Sequence, residues 1–237
     1  MNNLNVSLYL VTDSTYHTEE SFLRTVEDAC KGGVTLVQLR EKNTGGRDYL
    51  EKACKVREIT DRYQIPLIID DRVDVAMACG AAGVHVGASD LPVAEVRRLL
   101  GPDKIVGATA KTVEAARKAY QDGADYLGVG AIYPTTTKVT TVLTEVSTLS
   151  AICKAVPIPV VAIGGLNLSN LDILKGSGAD GIAVVTPAFF SVRDQGLVDY
   201  FTTVAKSVPQ DFPVYLYAIP QCAVNDISPK AAEECSR

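Results

Sequence analysis

Polar groups of compatible chemistry follow one apolar run after another along this 237-residue chain. Gln38 and Arg40 alternate with Val37 and Leu39, so they share one face of an extended segment. With Lys42 they offer a planar fork and a point charge, a combination suited to phosphate oxygens. The same residues, with Glu41, are equally consistent with a surface ion-pair cluster. Asp70 and Asp71 follow the run Pro66–Ile69, and Asp90 follows Val84–Val86. Carboxylates at the end of an apolar run need a hydrogen bond or a cation. Asp71 and Asp90 are therefore candidate ligands of a magnesium ion shared with substrate phosphates. Helix capping by Asp70 or Asp90 is the competing reading. His85 lies within its run and reads as a hydrogen-bonded structural histidine rather than a base. Thr109 follows the next run, and the hydroxyls of Thr135, Thr136 and Thr137 lead into Lys138. Gly164 and Gly165 let backbone N–H groups approach an anion, and Thr186 ends the series.

These groups need a scaffold that gathers strand ends. Eight short Val/Ile/Leu-rich runs alternate with helical stretches: Leu8–Thr12, Thr35–Leu39, Pro66–Ile69, Val84–Val86, Ile105–Ala108, Tyr126–Val129, Val160–Ile163 and Ile182–Val185. Near-continuous apolar runs mark parallel strands buried on both faces. Helices are expected over Ser21–Cys30, Arg47–Tyr63, Val93–Leu100, Val113–Gln121, Val146–Ala155, Leu168–Lys175 and Gly196–Lys206. The turns Gly123-Ala-Asp125 and Gly178-Ala-Asp180 precede successive strands as one repeated device. Eight such units predict an α/β fold, a closed (β/α)8 TIM barrel over residues 1–208, with its site at the strand C-termini. A dinucleotide-binding open sheet would want a GxGxxG loop after its first strand. The chain has Thr12-Asp13-Ser14 there.

One segment does not fit. Phe212–Pro220 reads as a ninth strand, and a closed eight-stranded barrel has no edge for it. Residues 209–237 are therefore expected outside the barrel, as a tail whose removal leaves turnover nearly unchanged.

A net charge of −5 with no Lys/Arg run argues against nucleic-acid or anionic-membrane partners. The partners expected are small molecules, with a homo-oligomer left open. Six cysteines, none at CxxC spacing, read as small buried residues in a reducing compartment. Neither a leader pattern nor an apolar run of about 20 residues is seen, so a cytoplasmic location is expected.

The segments Val37-Gln-Leu-Arg-Glu-Lys42, Ile69-Asp-Asp-Arg-Val-Asp-Val-Ala76, Gly83-Val-His-Val-Gly87 with Asp90, Gly128-Val-Gly-Ala-Ile-Tyr-Pro-Thr-Thr-Thr-Lys138 and Ala162-Ile-Gly-Gly165 together resemble thiamine phosphate synthase. The resemblance runs from about residue 7 to about residue 207. It implies a transferase that joins a pyrimidine diphosphate to a thiazole phosphate, giving thiamine phosphate and pyrophosphate by a dissociative, magnesium-assisted route. It implies that Gln38, Leu39, Arg40, Glu41, Lys42, Asp70, Thr109 and Lys138 contact the pyrimidine diphosphate. Arg40, Lys42 and Lys138 would stabilise its departure, and Asp71 and Asp90 would hold magnesium. Thr135, Thr136, Thr137, Gly165, Val185 and Thr186 would take the thiazole phosphate. Asp70 stands where the family often has Asn, Ala88 where Gln is common, and Thr109 and Thr186 where Ser is usual. These departures bear on affinity rather than reaction type. A thiazole tautomerase paralogue, a silent thiamine-precursor binding protein and a phosphosugar isomerase are the competing functions. The tail, Pro213–Pro220 with Asn225–Pro229, resembles a piece of the dihydrodipicolinate synthase family.

Overall fold

Each strand sorts its residues by alternation. In β2 (Leu36–Leu39) all four residues are buried, because both faces of the sheet are covered. Leu36 packs with Val11, Ile68 and Val161 inside the curl of the sheet, and Leu4, Ile105 and Ile163 lie against them. Val37 and Leu39 join a larger cluster with Ile69, Val84 and Val106 and with helix residues such as Phe22, Val56 and Leu149. Full burial of each such side chain stabilises by about 1.5–3 kcal/mol.

The computed structural model describes residues 4, 8–12, 14, 18–42, 44–134, 142–166, 170–185 and 214–217. Before β2 come β1 (Leu8–Thr12) and α1 (Glu19–Lys31). After it come α2 (Gly46–Arg62), β3 (Leu67–Asp70), α3 (Val73–Cys79), β4 (Gly83–Val86) and α4 (Val93–Leu100). Then follow β5 (Ile105–Thr109), α5 (Val113–Gln121), β6 (Tyr126–Gly130), α6 (Val146–Ala155) and β7 (Val160–Ile163). A 3-10 turn (Leu171–Leu174), β8 (Gly181–Val185) and β9 (Val214–Tyr217) complete the described elements. The result is an α/β fold in which a parallel, curled sheet is flanked by helices. None of the described helices is long and apolar enough to cross a membrane.

The repeated turn has one physical basis. The Asp125 side chain accepts the Val106 N–H at 2.7 Å, and Asp180 accepts the Val160 N–H at 2.8 Å. Each aspartate thus ties the start of its own strand to the start of the preceding one. Thr18 and Thr112 cap α1 and α5 by accepting N–H groups three residues on.

Three expectations change. Helix α3, implied only by the capping reading of Asp70, gains its bounds, because seven residues after Asp70-Asp71-Arg72 are too few to display a period. The helix expected over Leu168–Lys175 is the short 3-10 turn at 171–174, and Gly196–Lys206 lies outside the described residues. Most consequential is β9. Strands pair in chain order from β1 to β8, and β9 pairs in parallel with both β8 and β1. Residues 214–217 therefore stand within the sheet, between its first and eighth strands, and not outside an eight-stranded barrel. The remainder of 209–237 lies outside the described residues.

Candidate active site

The ends of β2 and β3 lie side by side, with Gln38 in register with Ile68. Beyond them Lys42 bridges two carboxylates: its ammonium lies 2.8 Å from Asp70 and also contacts Asp71. The Arg40 guanidinium lies 3.8 Å from the same Asp70 oxygen. Burial alone would lower the Lys42 pKa, but the charges and hydrogen bonds of Asp70 and Asp71 outweigh it and raise it. The cluster is thus an ion-pair network, and it occupies the position where a phosphate clamp was expected. Lys42 is thus held in its protonated form.

Asp71 holds a left-handed backbone conformation (φ 60°), uncommon for a residue with a side chain. Its N–H donates to the His85 carbonyl at 2.8 Å, which fixes the turn against the end of β4. On the next strand end Asp90 accepts the Gly87 N–H at 2.7 Å. Neither Asp70 nor Asp90 caps a helix: Arg72 and Pro92 occupy the N-cap positions of α3 and α4. Burial pushes the Asp90 carboxyl above its ordinary range, and the Asp71 charge and a side-chain hydrogen bond to Asp71 add to this. A pair of carboxylates on neighbouring strand ends is an arrangement that a divalent cation can neutralise. No third His, Cys, Asp or Glu joins them among the described residues. Such a pair fits magnesium, which keeps waters and substrate phosphates as its other ligands.

Inside the sheet, behind this rim, His85 is hydrogen-bonded at both ring nitrogens. Nδ1 meets the Tyr126 hydroxyl at 2.9 Å, and Nε2 meets the Thr109 hydroxyl at 3.1 Å. Burial keeps its pKa low, so the ring is neutral. Thr109 therefore sits at the end of β5 with its hydroxyl oriented by His85. Gly107 leaves room for Tyr126: a Cβ there would lie 2.2 Å from the phenol ring.

Gly165 has φ 65°, and a Cβ on it would lie 2.6 Å from Tyr133 Cβ and 2.7 Å from the Pro134 carbonyl oxygen. Only glycine lets the loop after β7 approach the loop after β6 so closely. Tyr133 N donates to Gly164 O at 3.0 Å across this seam. Gln38 and Leu39 are buried in β2, and Glu41 is held by Lys52 at 2.7 Å and by the Ser14 hydroxyl at 2.8 Å. Val185 ends β8. Thr135, Thr136, Thr137, Lys138 and Thr186 lie outside the described residues.

Sequence reasoning did not single out Tyr49, Lys52, Ser14 or Tyr126. The Tyr49 hydroxyl lies 2.7 Å from the Leu39 carbonyl and 3.2 Å from that of Asp70, so it ties β2 to β3 beneath the cation cluster. The spacing of Tyr49 and Lys52, three apart on α2, was the one available signal.

The thiamine monophosphate synthase family model matches residues 8–188. Thiamine-phosphate synthase 2 of Streptococcus pneumoniae serotype 4 is 57% identical over 185 residues, 78% of this chain and 88% of the relative. Thiamine-phosphate synthase of Methanobrevibacter smithii is 50% identical over 186 residues, again 78% of this chain and 88% of the relative. Among solved structures, thiamine phosphate pyrophosphorylase from Pyrococcus furiosus superposes with a TM-score of 0.65 at 37% identity, covering 77% of this chain and 87% of that one. The dihydrodipicolinate synthetase family model matches residues 158–236, overlapping the first match across β7 and β8.

Proposed function

The chain belongs to the thiamine monophosphate synthase family, and we propose that it joins 4-amino-2-methyl-5-(diphosphooxymethyl)pyrimidine to thiazole phosphate, giving thiamine phosphate and pyrophosphate. The observation that carries this reading is the row of groups at consecutive strand ends. Lys42 lies on Asp70 and Asp71, Arg40 lies beside Asp70, and Asp90 is held on the next strand end by the Gly87 N–H.

In this reading the C–O bond to the diphosphate breaks first and its electron pair leaves with pyrophosphate. The thiazole nitrogen then supplies the pair that forms the new C–N bond. That sequence needs charge stabilisation on the leaving group rather than a strong base. Arg40, Lys42 and Lys138 supply positive charge to the diphosphate. Thr109, with its hydroxyl oriented by His85, donates to it, and Gln38 and Leu39 line the pyrimidine side. Thr135, Thr136, Thr137, Gly165, Val185 and Thr186 take the thiazole phosphate. Asp71 and Asp90 would hold magnesium, which neutralises developing negative charge on pyrophosphate.

The tautomerase reading asks for a proton-moving base. His85, with both ring nitrogens already engaged by the Tyr126 and Thr109 hydroxyls, is not presented to a substrate as one. The finer architecture goes with the proposal: a TIM-type barrel whose mouth, at the strand C-termini, holds both small-molecule substrates. Its proposed setting is the cytoplasm. The test is pyrophosphate release from the two substrates together, with and without magnesium. Release requiring both substrates and the ion supports the reading. Absence of release under all conditions overturns it.

A further inference from the structure

Glu41 stands between the two cations of the candidate site, yet its carboxylate serves a different set of partners. Its side chain is 5% exposed. Oε2 accepts from the Ser14 hydroxyl at 2.8 Å and from the Lys52 ammonium at 2.7 Å. Lys52 also contacts Ser14 Oγ, and its ammonium lies 5.3 Å from the centre of the Phe22 ring. A carboxylate this buried is stable only while its counter-charge stays in place.

Lys52 does not act alone. It follows Tyr49 by three residues on α2, so the two lie on one helix face. Tyr49 meets the Leu39 carbonyl and Lys52 meets the Glu41 carboxylate. Helix α2 therefore grips residues 39 and 41 of the segment leaving β2. The alternate residues, Arg40 and Lys42, are left to pair with Asp70 and Asp71. Alternation along an extended segment produces this division of labour.

We propose that Lys52 is a positioning residue for diphosphate recognition: through Glu41 it presets the segment that presents Arg40 and Lys42. The inference rests on the diphosphate reading above. It assigns Glu41 to the support of the site, whereas the family resemblance implies a contact with substrate. Groups that orient binding residues typically matter by about 10–100-fold when removed.

The experiment compares Lys52→Met, Lys52→Arg and the double variant Glu41→Gln/Lys52→Met with the unaltered full chain. Four quantities are read: KM for each substrate, kcat, melting temperature, and affinity for inorganic pyrophosphate with magnesium by calorimetry. Lys52→Met should raise the KM for the pyrimidine diphosphate and the Kd for pyrophosphate about tenfold, while the KM for thiazole phosphate stays within about twofold. Lys52→Arg should restore most of the affinity. The double variant, free of an unpaired buried carboxylate, should recover melting temperature but not pyrophosphate affinity. It also carries the test if Lys52→Met does not fold. Recovery of affinity together with melting temperature would overturn the proposal, as would equal rises in both KM values or an unchanged pyrophosphate Kd. Lack of turnover in the unaltered chain would sink the functional reading, whereas the calorimetric comparison would still decide the role of Lys52. An unaltered chain with no measurable pyrophosphate affinity would overturn both.

Discussion

The imidazole of His85 and the phenol of Tyr126 meet at 2.9 Å inside the sheet, although 41 residues separate them in the chain. The contact, with Thr109 on the other ring nitrogen, satisfies a buried polar group that would otherwise be costly. Burial holds the His85 pKa below its ordinary value.

A pH dependence follows. The folded protein disfavours the imidazolium, so the unfolded chain binds more protons below the ordinary histidine pKa of about 6.5. The stability contributed by neutral His85 is therefore complete above that pH and shrinks as pH falls through it. His85→Gln should flatten the loss of unfolding free energy from about pH 6.5 downward. Denaturant melts across that range check this, and identical slopes for variant and parent would count against it.

Asp71→Ala should cut turnover by about 10²–10³-fold, the loss of one transition-state charge contact worth ~2.7–4 kcal/mol. Its fold should persist, because Asp71 lies on a strand-end turn, partly exposed and outside the core. Steady-state rates with circular dichroism of the same samples test this. Turnover like that of the parent would remove Asp71 from the site.

Asp70→Asn acts in the opposite direction. The carboxylate occupies both cations, at 2.8 Å from Lys42 and 3.8 Å from Arg40, and an incoming diphosphate must compete with it. Neutralising it frees ~0.5–1 kcal/mol of ion pairing, so the KM for the pyrimidine diphosphate should fall about two- to fivefold. A higher KM in this variant would show that Asp70 supports substrate instead.

Deleting residues 210–237 removes β9. That strand makes four residue pairs with β1 and four with β8. The outcome expected from the sequence, turnover nearly unchanged, therefore gives way to a loss of stability. At about 1 kcal/mol per net hydrogen bond, the melting temperature should drop by about 10 °C or more, with activity lost in parallel. A truncated chain that melts and turns over like the parent would show that β9 is dispensable to the sheet.

The strand runs, the polar residues at their ends and the Gly-Ala-Asp turns are local signals, and all were readable from the chain. Alternation decides which face a residue takes, and that needs no knowledge of the partner strand. Gln38 and Arg40 on one face, and Asp70, Asp71 and Asp90 at the ends of neighbouring strands, were legible for this reason. What each end group binds was not. Whether Asp70 and Asp90 cap helices or meet other charges depends on strand register, which set Asp70 beside His85 and left Arg72 and Pro92 at the caps. Glu41 read as a member of the same strand-end cluster as Arg40 and Lys42, whereas packing of α2 gives it Lys52 as its partner. The place of Val214–Tyr217 was the furthest from reach. A strand's sequence states that it wants two neighbours, but only the tertiary placement of β1 and β8 decides which edges receive it.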